Sequence, residues 1–417
     1  MSALTVYRNG EQVGRLEQHD DDLLSFVYNQ SWLAEPGAVP LSRSLPLQQE
    51  PFSGKKARPF FAGILPEEGP RKIIAKILGI SDINDFAMLE RIGGECAGAV
   101  ALFPEGSERP ALKSSDCRIL NDQELQQIVA ELPRRPLMAG TEGVRLSLAG
   151  AQNKLPVVVR DREIGLPLGD TPSTHILKPE PDDYPGLALN ERFCMTLGRT
   201  VGLNVAQVEY LLIGNRPCLL VQRYDRKTDG NGVTTRIHQE DFCQALGFPP
   251  ERKYQAESGP TVRDCISLLR EWSTAPALDI PAFINGLIFD VLIGNADAHG
   301  KNYSMLYFDG ERRMAPLYDL VSTVAWPELN KDAAMKVGSC DSINAYSVGD
   351  WKKMATASGL SWPLVRERMS DMCQDLQGKL DVIQNQARAH NGELADRLHD
   401  LIRDRSTKML ESVVNRD

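Results

Sequence analysis

Apolar residues recur at strand-like spacing in one stretch of this chain and at helical spacing in the next, and the change comes near Tyr224. Short runs at 145–148, 155–160, 163–166, 175–178, 208–213 and 218–223 predict strands, interrupted by a single helix over 188–201. Beyond Tyr224 the runs at 239–246, 262–271, 281–293, 348–357, 362–384 and 393–414 have helical periodicity. A β-rich stretch followed by an α-rich one predicts two lobes with a cleft between them, the usual place for a small-molecule site. A further unit precedes both. Asn9-Gly10 separates runs at 5–8 and 12–17 and predicts a hairpin, because both residues tolerate positive φ. A strand at 24–28 and an edge segment at 41–47 follow, then helices over 71–78 and 85–92, the second stopping at Gly93-Gly94, and a strand at 99–103. The break at 104–110 is the first domain boundary, and a short helix over 121–132, capped by Asn121 or Asp122, opens the next segment. The chain thus divides into an α+β unit at 1–105, a β-rich part at 106–224 and a helical part at 225–417.

With 417 residues there is material for about two or three domains. Lys and Arg number 47 against 56 Asp and Glu, so the net charge is 47 − 56 = −9, which argues against a stand-alone cationic nucleic-acid binder. No basic start precedes an apolar segment, and the longest apolar stretch, 283–293, is broken by Asn285, Gly286 and Asp290, so a cytoplasmic protein without a membrane span is expected. The eight cysteines stand at least 21 residues apart (Cys96 to Cys117 is the nearest pair), which fits reduced, mostly buried thiols rather than a metal clip. The six histidines form no zinc motif.

Candidate chemistry is densest after the apolar helix that ends near Ile293, in Asn295-Ala296-Asp297-Ala298-His299-Gly300-Lys301-Asn302-Tyr303. Asp297 and Asn302 lie five apart, the spacing by which kinase catalytic loops place a carboxylate near an acceptor hydroxyl and an amide oxygen on Mg²⁺. A polar loop capping a helix would also contain such a pair. Asp319, after Tyr318, offers a second hard oxygen ligand of the kind an Mg·ATP site needs. Upstream, Lys178 ends a strand and Glu191 follows on the next helix, so the order strand Lys, helical Glu, catalytic Asp and Asn, metal Asp is the kinase order. Each of these residues alone would pass as a solvated side chain. Ser147-Leu148-Ala149-Gly150-Ala151-Gln152-Asn153-Lys154 places small residues between two strands, where backbone N–H groups can approach phosphate oxygens, or where a plain hairpin turn would sit.

Taken together, these segments resemble the HipA serine/threonine kinases, the toxins of bacterial HipBA toxin–antitoxin modules. The resemblance rests on Arg145-Leu146-Ser147 through Lys154, Thr174-His175-Ile176-Leu177-Lys178, Asn190-Glu191, Val221-Gln222-Arg223-Tyr224-Asp225-Arg226, Asp297 through Asn302, and Tyr318-Asp319, with Ser44-Leu45-Pro46-Leu47 and Arg91-Ile92-Gly93-Gly94 in the first unit. It covers nearly the whole chain. It implies an α+β, protein-kinase-like two-lobed fold with a β-rich N-lobe and a helical C-lobe behind a small amino-terminal α+β subdomain. It implies ATP and Mg as cofactors, with Asp297 catalytic, His299 and Lys301 beside the transferred phosphate, and Asn302 and Asp319 on the metal. Ala149, Gly150, Ala151, Gln152, Asn153 and Lys154 would cover the phosphates and Lys178 would contact them; Gln222, Arg223 and Tyr224 would form the adenine-facing hinge, with Gly300 and Tyr318 also at the nucleotide. Ser147 matches the family's autophosphorylated serine, and kinase logic pairs Lys178 with Glu191.

The implied partners are a HipB-like antitoxin dimer, operator DNA reached mainly through it, and a translation-related protein substrate such as glutamyl-tRNA synthetase. The segment 179–190 is shorter than the corresponding loop of the best-known family member, and Gln222 and Tyr224 replace an acidic residue and a Phe in the hinge; both departures bear on whether that substrate carries over. Lys336, Lys352 and Lys353 are candidate local DNA contacts, against a solvated surface as the plainer reading. Two rival functions stay open at this point, a catalytically quiet co-repressor of the antitoxin–operator complex and a small-molecule kinase. The intact Lys, Asp, Asn and Asp set argues against the first and the Ser147 motif against the second. The apolar stripe of 393–414 reads as core packing.

Overall fold

Asn9 and Gly10 both take positive φ, 48° and 94°, and turn strand Ser2–Arg8 into strand Glu11–Gln18 with Arg8 opposite Glu11. The hairpin is the centre of an antiparallel five-stranded sheet in the order Phe52–Ser53, Leu24–Tyr28, Glu11–Gln18, Ser2–Arg8, Val100–Pro104. Gly14 is required there, since a Cβ would stand 2.4 Å from the carbonyl oxygen of Val27. The computed structural model describes residues 2–19, 23–107, 117–230 and 232–414. Part of the boundary expected at 104–110 therefore lies outside the described residues. Helices Glu68–Leu78 and Asp85–Ile92 form as expected, the first stopped by Gly79 at φ 66° and the second capped by the Asn84 side chain. The edge segment expected at 41–47 makes only one bridge, Ser42 to Leu45, and Phe52–Ser53 takes the sheet edge instead.

A second antiparallel sheet contains, in spatial order, Arg216–Gln222, His175–Pro179, Leu155–Arg160, Glu163–Pro167 and Cys117–Ile119. One continuous apolar core runs through both sheets: Leu4, Leu16, Phe26, Phe61 and Leu89 from the first 105 residues pack in the same cluster as Leu146, Leu155, Leu177 and Leu220. The segment 145–148 is extended but is not a strand. Glu95 bridges it, its N–H donating to the Arg145 carbonyl at 2.8 Å and its carbonyl accepting from the Ser147 N–H at 2.8 Å, and one bridge is too short to count as a ladder. Of the helix expected at 239–246 only Phe242–Leu246 is helical, because the Asp241 side chain caps it by accepting from the Gln244 N–H at 2.8 Å, while His238–Asp241 is a strand.

The chain forms two compact units. The first comprises residues 1–181, 211–250 and 306–310, and the second residues 182–210, 251–305 and 311–417. The second is mainly helical, with helices Leu187–Thr200, Val262–Trp272, Pro276–Ile293, Val348–Ala357, Trp362–Arg388 and Gly392–Val414, the last two folded back on each other. Helix Pro276–Ile293 starts five residues earlier than its periodicity suggests and carries Pro281 in its interior. Among the described residues it alone is long and apolar enough to cross a membrane; 61% of it is buried inside the protein, with Phe283, Ile288, Phe289, Leu292 and Ile293 fully so, as befits a central core helix. All eight cysteines are free thiols, and six of them are buried.

Inside the first unit lies a charged cluster without solvent. Glu95 receives Arg236 at 2.6 Å, Arg226 at 2.8 Å and Arg223 at 3.5 Å, while Asp225 pairs with Arg223 at 2.7 Å and Asp170 with Arg236 at 3.1 Å. Three carboxylates thus face three guanidiniums, and Ser173 adds a hydroxyl donor to Glu95 at 2.9 Å. Burial by itself would raise the Glu95 carboxyl, but Arg236, Arg226 and Arg223 outweigh it and hold the group far below its ordinary value of 4.5. A depressed folded-state value means that the stabilisation is complete above the unfolded value and is lost as pH falls below it. Replacing Glu95 by Gln keeps the shape and leaves the guanidiniums undercompensated, so the unfolding free energy should drop by about 3–5 kcal/mol, read as a lower urea midpoint at unchanged slope. The variant should also lose less of its remaining stability than the parent chain between about pH 5 and pH 3.

Candidate active site

Helix Pro276–Ile293 ends at Gly294, at φ 74°, where a Cβ would stand 2.3 Å from the Val324 side chain. The loop that follows is held at both ends by one buried carboxylate. Asp290 is 2% exposed and accepts from the Asn295 amide at 2.8 Å and from the Tyr303 hydroxyl at 2.7 Å. Burial pushes its carboxyl up to about 7, against the two hydrogen bonds, which act in the other direction. The Asn295 side-chain oxygen in turn accepts the Asp297 N–H at 3.2 Å, and the Thr323 hydroxyl oxygen accepts the Ala296 N–H at 2.8 Å. The backbone carrying Asp297 is therefore fixed by hydrogen bonds that originate in the core.

Asp297 itself is exposed, and the Tyr254 hydroxyl donates to its Oδ1 at 2.8 Å. A short 3₁₀ turn, Gly300–Asn302, brings the Asn302 side chain back so that its Oδ1 accepts the His299 N–H at 3.0 Å and its Nδ2 donates to Asp319 Oδ2 at 3.2 Å. His299, Gly300, Lys301 and Asn302 are buried. The Tyr318 hydroxyl donates to the Lys301 carbonyl at 2.6 Å. Asp319 sits at φ 59°, a left-handed conformation uncommon outside glycine and often kept for a functional carboxylate. Three residues further on, the fully buried Asn190 clamps the chain, donating to the Ser322 carbonyl at 3.1 Å and accepting its N–H at 2.8 Å. Asp297, His299, Lys301, Asn302, Tyr318 and Asp319 are thus brought together as the sequence order suggests. An amide oxygen with a lone pair left and an adjacent carboxylate fit a hard cation such as Mg²⁺, which completes its shell with phosphate oxygens and water. Among the described residues no group of three His, Cys, Asp or Glu side chains forms a closed metal site.

The remaining candidates of the nucleotide set lie in the first unit. Lys178 stands on strand His175–Pro179 opposite Leu219 and is buried. Ser147 is completely buried, its hydroxyl donating to the Ile64 carbonyl at 2.8 Å. Gly150 takes φ 108°, its carbonyl accepts the Glu67 N–H, and Lys154 folds back to donate to the Ala149 carbonyl at 2.6 Å, so the loop over Ala151, Gln152 and Asn153 closes on itself. Of the residues expected at the hinge, Gln222 is exposed and Tyr224 half-buried, whereas the Arg223 guanidinium is spent in the Glu95 cluster. Glu191, on helix Leu187–Thr200 of the second unit, is buried. The lysines proposed for DNA have local neighbours: Lys336 pairs with Asp341, Lys353 donates to Ser339 at 3.1 Å and Lys352 lies over the Trp362 ring. Sequence reasoning missed Tyr254 altogether. Asp290 was visible as a lone charge in an apolar helix, a signal that a buried partner set was needed.

Comparison with known proteins identifies the family of the chain. The HipA N-terminal domain profile matches residues 4–103 and the HipA-like C-terminal domain profile matches residues 146–380. The chain is 47% identical over 372 residues to Y4mE of Sinorhizobium fredii, covering 88% of this chain and 89% of that one. It is 31% identical over 353 residues to the serine/threonine-protein kinase toxin HipA of Shewanella oneidensis, covering 82% and 79%. A chain in the solved complex of HipA, HipB and operator DNA from Shewanella oneidensis superposes with a TM-score of 0.86 at 26% identity, over 99% of this chain and 98% of that one. The expected fold class, α+β and protein-kinase-like, is borne out by that likeness. With its two parts matched by the two HipA profiles and its length shared with both relatives, the chain belongs to the HipA family.

Proposed function

We propose that this chain is an ATP- and Mg-dependent protein serine/threonine kinase that acts in the cytoplasm as the toxin of a toxin–antitoxin pair. The observation that carries the reading is the contact of Asn302 with Asp319 beside a loop that presents Asp297. Phosphoryl transfer asks a protein mainly for positioning and charge neutralisation. Asp297 accepts the proton of the acceptor hydroxyl as its oxygen bonds to the γ-phosphorus and ADP leaves. Asn302 and Asp319 are the residues that would hold Mg²⁺, which when bound would offset charge on the phosphate oxygens. Lys178 and the loop from Ala149 to Lys154 contact the phosphates, His299 and Lys301 lie at the transferred group, and Gln222 to Tyr224 serve as hinge through the backbone. In this reading residues 1–105 are an accessory unit, 106–224 carry the phosphate-covering loop and hinge, and 225–417 carry the catalytic loop.

The partners follow from the Shewanella oneidensis complex, which contains HipA, HipB and operator DNA. A HipB-like antitoxin dimer would restrain this chain and bring it to operator DNA, consistent with a net charge of −9 that disfavours unaided DNA binding. The protein substrate belongs to the translation apparatus, with an aminoacyl-tRNA synthetase as the first candidate. Ser147 acts as an off switch. Ser147 is fully buried, so a phosphate bearing about −1.5 to −2 charges would face the carbonyl of Ile64, and the loop would have to leave.

An Asp297→Gln variant should lose transfer of label from ATP to protein by about 100- to 10,000-fold while its urea midpoint stays at the parent value. An Asp319→Asn variant should weaken Mg-dependent ATP binding, measured by calorimetry with and without the metal. Protein fully phosphorylated at Ser147, verified by mass spectrometry, should bind ATP far more weakly than unmodified protein; equal affinities would remove the switch.

A further inference from the structure

Asp297 is exposed, and its carboxylate has one side-chain hydrogen-bond partner among the described residues, the Tyr254 hydroxyl at 2.8 Å on Oδ1. A carboxylate that must take a proton from an acceptor hydroxyl works only if its orientation is set beforehand, and an exposed Asp is otherwise free to rotate. We propose that Tyr254 is a positioning residue for phosphoryl transfer: it holds Oδ1 of Asp297 so that Oδ2 faces the acceptor hydroxyl. The inference rests on the kinase reading of Asp297. Tyr254 keeps its proton throughout; the proton taken up by Asp297 comes from the acceptor alone. Because a carboxylate accepts about four hydrogen bonds over two oxygens, the tyrosine leaves room for that acceptor.

The tyrosine is itself held in place. Its carbonyl accepts the N–H groups of Glu257 at 3.0 Å and Gly259 at 2.9 Å, closing a tight turn. Gly259 is indispensable to that turn, since a Cβ there would stand 2.3 Å from the Arg252 carbonyl oxygen and 2.6 Å from that of Tyr254. The neighbouring Gln255 side chain accepts the Lys336 N–H at 2.8 Å, tying the turn to strand Asp332–Val337. The ring meets the His299 ring in a T-shaped contact at 5.2 Å and the Lys253 ammonium at 5.3 Å. A short, closed and doubly anchored turn whose tip touches the carboxylate of the catalytic loop is a support for that carboxylate.

The test uses the full-length protein, its Tyr254→Phe variant, Asp297→Gln and the double variant, with labelled ATP and transfer measured both to the chain itself and to dephosphorylated casein. The phenylalanine variant should lower kcat about 10- to 100-fold with KM for ATP and the urea midpoint unchanged, and in the Asp297→Gln background it should add no further loss. Additive losses in the double variant would mean that Tyr254 acts independently of Asp297, and unchanged or raised kcat would mean that it does not support the carboxylate; either overturns the proposal. Phosphotyrosine at position 254, sought by mass spectrometry, would make the residue an acceptor and overturn it too. No Asp297-dependent transfer by the parent chain would instead overturn the kinase reading, a result separable from the others.

Discussion

Three arginines converge on Glu95 in the interior of the first unit, and much of the candidate nucleotide-binding apparatus depends on that convergence. The backbone of Glu95 holds Arg145 and Ser147 in their extended conformation, so the same residue that neutralises the guanidiniums also places the start of the loop from Ala149 to Lys154. Asp225 extends the cluster to the Gly98 N–H at 2.7 Å and to the Arg223 guanidinium. A charged set of this kind costs several kcal/mol of desolvation per ion and survives only when every member is paired. Its members come from the first 105 residues and from the segment 170–236, so neither part can bury its charges without the other.

That interdependence explains why the first sheet and the second share an apolar core rather than packing as separate modules. It also gives the amino-terminal segment a role in holding the loop from Ala149 to Lys154. Ser147 is buried because Ile64, from that segment, accepts its hydroxyl.

The helical unit solves a similar problem with fewer charges. Asp290 is carried on a helix whose other buried side chains are almost all apolar, and it is kept there by the two ends of the loop from Asn295 to Tyr303. Asn190 does the equivalent for the segment after Asp319. Each is a buried polar group whose partners are backbone or loop side chains, and each converts core burial into a fixed position for an oxygen near the surface.

Secondary structure was legible wherever one periodicity ran undisturbed, as in the Asn9-Gly10 hairpin and helices Glu68–Leu78 and Val262–Trp272. It was misread where partners distant in sequence took over, as at 145–148, where Glu95 supplies the backbone-to-backbone hydrogen bonds, and at 239–241, which is part of a strand although its residues continue a helical pattern. The order of Lys178, Glu191, Asp297, Asn302 and Asp319 was fully determined by the sequence, because residue type and spacing along the chain are properties of the sequence alone. That Asn302 touches Asp319, that Tyr254 reaches Asp297, that Arg223 points into an ion cluster and that Ser147 has no access to solvent were decided only by the tertiary structure. Those facts depend on which side chains meet across tens or hundreds of residues, and one-dimensional spacing carries no information about such meetings.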